Sequence, residues 1–334
     1  MASLASPSNS RLTCLANGIT YGSVLIKPKQ NNPYILFLHG FPASSYDWRH
    51  QISFFSDLGY GVFAPDLLGY GDTDKPTQLE PYKLKQMSED IVSLLDHHDI
   101  KEAIGVGHDW GSFLLSRLAN YHPERILAYV FLDVGYMPPF DHFDVDVINE
   151  KTQGQFGHPI FGYWHFLNSP EAADIMTKQI DSTTAIMFPV STDIWLEYFC
   201  PPGGIQKFYE KEMTGPLPDW MPESEIAVYK QIMSADNGGF RGGLNWYKSQ
   251  MANNNTADEK AVPSDRRRTD KPVLLVTCAK DHVGIPAMME ESTKMFANDL
   301  EVEHLDCGHW VQLELPNKVN EVVKSFVQKH LFEA

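Results

Sequence analysis

Short continuous apolar runs recur along the first third of the chain, at Tyr34–Leu38, Gly61–Ala64, Ile104–Val106 and Tyr129–Leu132, with helix-like periodicity between them. Runs of this length without polar alternation predict strands buried on both faces, as in a mostly parallel sheet flanked by helices. The pattern returns late. Val273–Thr277 and Glu301–Leu305 predict two more strands, and Val319–His330 predicts an amphipathic closing helix. From Met137 to Tyr247 the texture changes to aromatics, prolines and helical stretches with no parallel-strand run. The late strands are needed to complete the sheet, so the middle reads as a helical insertion into an α/β core rather than a second domain. The expected organisation is a core in two parts, residues 1–136 and 251–334, with an inserted lid at 137–250. Asn253–Asp270 is polar and reads as an exposed connection back to the core.

At 334 residues and 43% hydrophobic, the chain can bury a large core. A formal net charge of -16 argues against nucleic acid and anionic membrane surfaces as partners. The four cysteines (Cys14, Cys200, Cys278, Cys307) are scattered and offer neither a disulfide framework nor zinc spacing. Met1–Ser10 lacks the charged and apolar regions of a secretory leader, and no apolar run is long enough to span a membrane. These features predict a cytoplasmic protein and leave its oligomeric state open. His97-His98 and Asp141-His142-Phe143-Asp144 lack ligand spacing, so no metal or cofactor is expected.

The chemistry concentrates at Gly107-His108-Asp109-Trp110-Gly111, which follows an apolar run and leads into a helical pattern. This is the strand-turn-helix setting of a nucleophile elbow, with aspartate where serine or cysteine usually stands. A carboxylate is already an anion at neutral pH and attacks saturated carbon directly, leaving an ester on the enzyme. Hydrolysis of that ester needs a base. His309, in Cys307-Gly308-His309-Trp310, follows the last expected strand, and Asp281, in Ala279-Lys280-Asp281-His282, follows the strand before it. Nucleophile, acid and histidine thus occur in the chain order of an α/β-hydrolase triad. His39-Gly40-Phe41-Pro42 ends an earlier strand, and the backbone N–H groups of Phe41 and Trp110 are expected to form an oxyanion hole.

Taken together, H-G-F-P at 39–42, D-L-L-G-Y-G-D-T-D-K-P at 66–76, G-H-D-W-G at 107–111, A-K-D-H at 279–282 and C-G-H-W at 307–310 resemble the α/β-hydrolase-fold epoxide hydrolases, fungal members included. The resemblance covers the chain apart from its first few residues. It implies a small-molecule epoxide and water as substrates, and two lid tyrosines that donate to the epoxide oxygen. L-N-W-Y-K at 244–248 matches the family's L-N-W-Y-R/K and points to Tyr247; F-G-Y-W-H-F-L-N-S-P at 161–170 resembles the mammalian F-D-Y-Q-L-Y-F-Q-E-P and points to Tyr163. A competing alignment through Phe199, Pro202 and Gly203 puts Trp195 in the first position, where an indole N–H favours a haloalkane or haloacid dehalogenase using the same Asp109. Tyr163 lies soon after the insertion begins, as the family's first tyrosine does. Trp164, Trp195 and Trp246 are expected to line an apolar pocket. A third possibility is a non-catalytic receptor on the same fold.

Overall fold

The computed structural model describes residues 1–332. Its strands are β1 (Ser10–Cys14), β2 (Thr20–Ile26), β3 (Tyr34–Leu38), β4 (Gly61–Pro65), β5 (Ala103–His108), β6 (Ile126–Leu132), β7 (Val273–Cys278) and β8 (Leu300–Leu305). They form one sheet in the order β1-β2-β4-β3-β5-β6-β7-β8. β2 runs antiparallel to both its neighbours, and the other adjacent pairs are parallel. Six strands coincide with the apolar runs. β1 and β2 were not among the expected strands, because their polar and small residues (Ser10, Arg11, Thr20, Gly22, Ser23) break the apolar signal at the antiparallel edge.

Alternate residues of the central strands serve two cores. Ile35, Phe37, Val106, Val130 and Val276 pack with Trp48, Phe55, Val323 and Phe326 on one face. Leu36, Leu38, Phe131 and Leu275 pack on the other with Leu114, Leu115 and Leu118 of the helix Trp110–Tyr121. Each such burial contributes about 1.5–3 kcal/mol. The second core continues into the aromatics of the segment between β6 and β7, which is helical from Val145 to Lys260 with intervening loops. Local signals shape that segment. Its first helix, Val145–Phe156, is capped by the Asp144 carboxylate, which accepts from the N–H groups of Asp146 and Val147, and it stops at left-handed Gly157.

The return to the core is not simply an exposed connection. Asn253–Asp270 includes the helix Thr256–Lys260, where Glu259 is buried against Arg117, which is itself fully buried, at 2.9 Å. Arg117 also donates to the carbonyls of Met137 and Pro138, and Glu259 accepts the N–H of Phe140. One buried ion pair therefore ties the chain both where it leaves the core and where it comes back. Among the described residues no helix is long and apolar enough to cross a membrane.

Candidate active site

Asp109 sits between the last residue of β5 and the first turn of the helix Trp110–Tyr121, with φ +51° and ψ -122°. That backbone conformation is strained for an L-residue, by about 1–3 kcal/mol, and marks a position held by its surroundings. The surroundings are close. A Cβ on Gly111 would overlap the carbonyl oxygen of Leu38, and one on Gly40 would overlap the Asp109 carboxylate. Only glycine lets the loop after β3 approach the elbow, and that approach brings the Phe41 N–H to 2.7 Å from Asp109 Oδ1. Burial pushes the Asp109 carboxyl above its ordinary value, against the charge of His309 and the N–H groups of Phe41 and Trp110, which favour the anion. Both N–H groups expected at an oxyanion hole thus act on this carboxylate.

The parallel strands bring the other strand ends alongside. His309, in the loop after β8, donates from Nδ1 to Asp281 Oδ2 at 2.6 Å, and Asp281 Oδ1 accepts the Val283 N–H at 2.6 Å. Burial opposes ionisation at both groups. It is outweighed: the neighbouring carboxylates hold the His309 imidazole well above its usual value, and His309 holds Asp281 below the usual carboxylate range. His108 supports the histidine from beneath, with Nε2 at 2.8 Å from the His309 carbonyl oxygen and Nδ1 at 3.2 Å from Gln312 Nε2. Burial drives the His108 ring well below its usual value, so it is a neutral strut. His108, His309 and Asp133 lie close enough together to hold a metal, but these hydrogen bonds already occupy both ring nitrogens of His108 and Nδ1 of His309.

Asp133 was not anticipated. It directly follows β6, is fully buried, and places Oδ2 2.8 Å from His309 Nδ1, beside Asp281. Asp281 was identified in the loop after β7, three residues beyond the strand; Asp133 follows β6 directly, and an acid at the end of the apolar run V-F-L-D is the signal that could have found it.

The helical segment covers this arrangement with rings. Tyr163 and Tyr247 are 5% and 3% exposed, so neither faces bulk solvent, and their ring centroids are 6.1 Å apart. Burial comes first in raising both phenols well above their usual value, and Asp109 adds to both, so each is a protonated donor that senses the carboxylate. Tyr163 stacks on Phe199 at 4.0 Å; Tyr247 meets Trp110 and Phe41 edge to face at 5.1 and 5.2 Å. Trp164 packs against Trp110 and Tyr247, and Trp195 lies 5.6 Å from the His309 ring. The Trp195 indole N–H is committed to the Ile186 carbonyl at 2.7 Å. Trp246 stands behind Trp110, with its indole N–H on the Leu68 carbonyl at 2.8 Å, and ties the helix Arg241–Met251 to the loop after β4.

Known proteins resemble this chain in sequence and in fold. A family profile for the alpha/beta hydrolase fold matches residues 33–156. The chain is 31% identical to mouse bifunctional epoxide hydrolase 2 over 94% of its length, spanning 56% of that longer protein. It is 30% identical to epoxide hydrolase 1 of Siraitia grosvenorii, over 71% of each chain. The crystal structure of epoxide hydrolase A from Mycobacterium thermoresistibile superposes with a TM-score of 0.79 at 29% identity, covering 96% of this chain and 98% of that one.

Proposed function

As the chain belongs to the epoxide hydrolases built on the alpha/beta hydrolase fold, we propose that it converts an apolar epoxide and water into a vicinal diol through an ester on Asp109. The observation that carries this reading is the pair of buried phenols, their rings 6.1 Å apart, whose protonated form is favoured by burial and by the nearby elbow carboxylate. Residues 137–250 act as the lid over the core parts 1–136 and 251–334. Substrate enters between core and lid. Four free cysteines, three of them buried, accord with a reducing cytoplasmic setting.

In the first step Tyr163 and Tyr247 donate to the epoxide oxygen while Asp109 attacks a ring carbon. The C–O bond breaks, and one tyrosine supplies the proton that turns the alkoxide into a hydroxyl. In the second step His309, oriented by Asp281, takes a proton from water, and the resulting hydroxide adds to the ester carbonyl of Asp109. The oxyanion sits on the N–H groups of Phe41 and Trp110. Collapse, with the proton returned from His309 to the departing oxygen, releases the diol. The proton left on Asp109 passes through solvent to the tyrosinate, restoring the enzyme.

A dehalogenase would use the same nucleophile but needs N–H donors for halide. The indole of Trp195, the donor on which that reading rested, is already engaged by the Ile186 carbonyl. The deciding experiment is His309→Gln incubated with styrene-type, fatty-acid and polyene epoxides. Mass spectrometry is expected to find an adduct on the peptide containing Asp109, which would also dispose of a receptor role. No adduct with any of the panel overturns the proposal.

A further inference from the structure

His309 has two carboxylates at one nitrogen. Asp281 Oδ2 lies 2.6 Å and Asp133 Oδ2 2.8 Å from Nδ1, and both side chains are fully shielded from solvent. A neutral imidazole acting as base has a single hydrogen at Nδ1, and it is directed at Asp281. The two acids are held very differently. Asp281 accepts a second hydrogen bond, from the Val283 N–H, whereas neither oxygen of Asp133 accepts one from any described residue. The titratable groups around Asp133 come from every neighbouring strand end: His309 after β8, Asp281 and Cys278 at and after the end of β7, and His108 at the end of β5. Gly284 closes the loop over it, since a Cβ there would stand 2.7 Å from Asp133 Oδ2.

Two adjacent carboxylates in so dry a site cannot both carry charge at low cost. Burial first, and repulsion from Asp281 second, raise the Asp133 carboxyl well above its usual value, while Asp281 stays ionised. A proton on Asp133 gives it a donor of its own, directed at Asp281.

We propose that Asp133 is a second acid partner of His309: in the resting protein it shares a proton with Asp281, and when Asp281 is neutralised it takes over the histidine. Asp133 touches neither substrate nor reacting atoms, so it is a positioning residue. Without the Asp281 charge, the repulsion that keeps Asp133 protonated disappears. Asp133 then releases its proton to solvent and accepts the His309 Nδ1–H from 2.8 Å away. The kinetic part of this inference rests on the epoxide hydrolase reading; the pairing itself does not.

The test compares Asp133→Asn, Asp281→Asn and the double variant, with circular dichroism to establish that each is folded. The low-field proton resonance of His309 Nδ1, read by NMR without substrate, is expected to persist in both single variants and vanish in the double one. In single-turnover reactions, Asp133→Asn is expected to hydrolyse the Asp109 ester within about threefold of the wild-type rate, because the amide keeps a donor toward Asp281. Asp281→Asn should lose less than about a hundredfold, and the double variant about 10⁴-fold, the size of effect seen when a triad histidine loses its acid. The pH profile of Asp281→Asn should retain a histidine limb that the double variant lacks. Loss of the resonance in Asp281→Asn alone, or an Asp281→Asn rate as low as that of the double variant, overturns the inference. If no ester forms in any variant, the epoxide hydrolase reading fails instead, and the NMR comparison still decides the pairing.

Discussion

At the C-terminal ends of the parallel strands, the elbow carboxylate, the N–H pair and the histidine are placed by strand ends and by turns that admit only glycine. Across the cleft, the two phenols are placed by rings stacked on rings. The floor positions its groups through backbone atoms: Gly40 and Gly111 leave no space for a side chain, and Phe41 contributes its N–H rather than its ring to Asp109. The roof works through rings, Phe199 on Tyr163 and Trp164 on Tyr247, with Tyr247 resting edge to face on the Trp110 ring of the floor. On the function proposed above, one surface sets the reaction and the other the molecule that undergoes it.

The sharpest way to break this division is at the floor. Asp109→Asn should lower diol formation by about 10⁴-fold or more, with slow recovery on standing if the amide is hydrolysed back to the acid; a variant with substantial activity from the first minute would show that water attacks the epoxide directly. At the roof, each of Tyr163→Phe and Tyr247→Phe is expected to slow ring opening by about 10²-fold, since one donor remains, and the double variant to abolish it within detection. Formation of the Asp109 ester at an unchanged rate in that double variant would return the site to a dehalogenase-like chemistry. Between the two surfaces, Arg117→Met leaves Glu259 buried without its partner and should lower stability by about 3–5 kcal/mol in urea unfolding, with little change in the ester-hydrolysis rate constant of the folded enzyme.

The smallest effect is in pH. His309 must be neutral to act as base, and its folded-state value is raised, against the pull of burial, by the acid pair Asp133 and Asp281, which share one negative charge. Ester hydrolysis should therefore fall as pH drops through a value above the usual histidine figure of about 6.5, whereas ring opening, which relies on the phenols, should not follow the same limb. Stopped-flow measurement of the two phases separates them. A shared acidic limb would mean that floor and roof do not divide the labour as described.

The same division explains what could be read from residues alone. Strand-end chemistry is legible because a buried parallel strand announces itself as an apolar run, and the short loop that follows it lands at the site; Asp109, Asp281 and His309 were found in this way. Asp133 obeys the same rule and was missed because a triad with one acid already satisfied the pattern. β1 and β2 escaped notice because edge strands need no continuous apolar run. Lid positions are harder, since a tyrosine that donates to a ligand and one that fills a core have the same local sequence. That Trp195 spends its indole N–H on Ile186, and Trp246 on Leu68, is a matter of three-dimensional packing that no spacing encodes. The buried pair of Arg117 and Glu259 joins residues so far apart in sequence that each reads as an ordinary surface charge.

That pair also sets a limit on how the molecule can be altered. Arg117 belongs to the helix that begins beside the nucleophile, and it fastens both crossings of the chain between the sheet and the aromatic segment. The two halves of the cleft therefore share one rivet. Substitutions far out in the aromatic segment leave that rivet untouched, whereas any change at the rivet weakens the hold of both halves together.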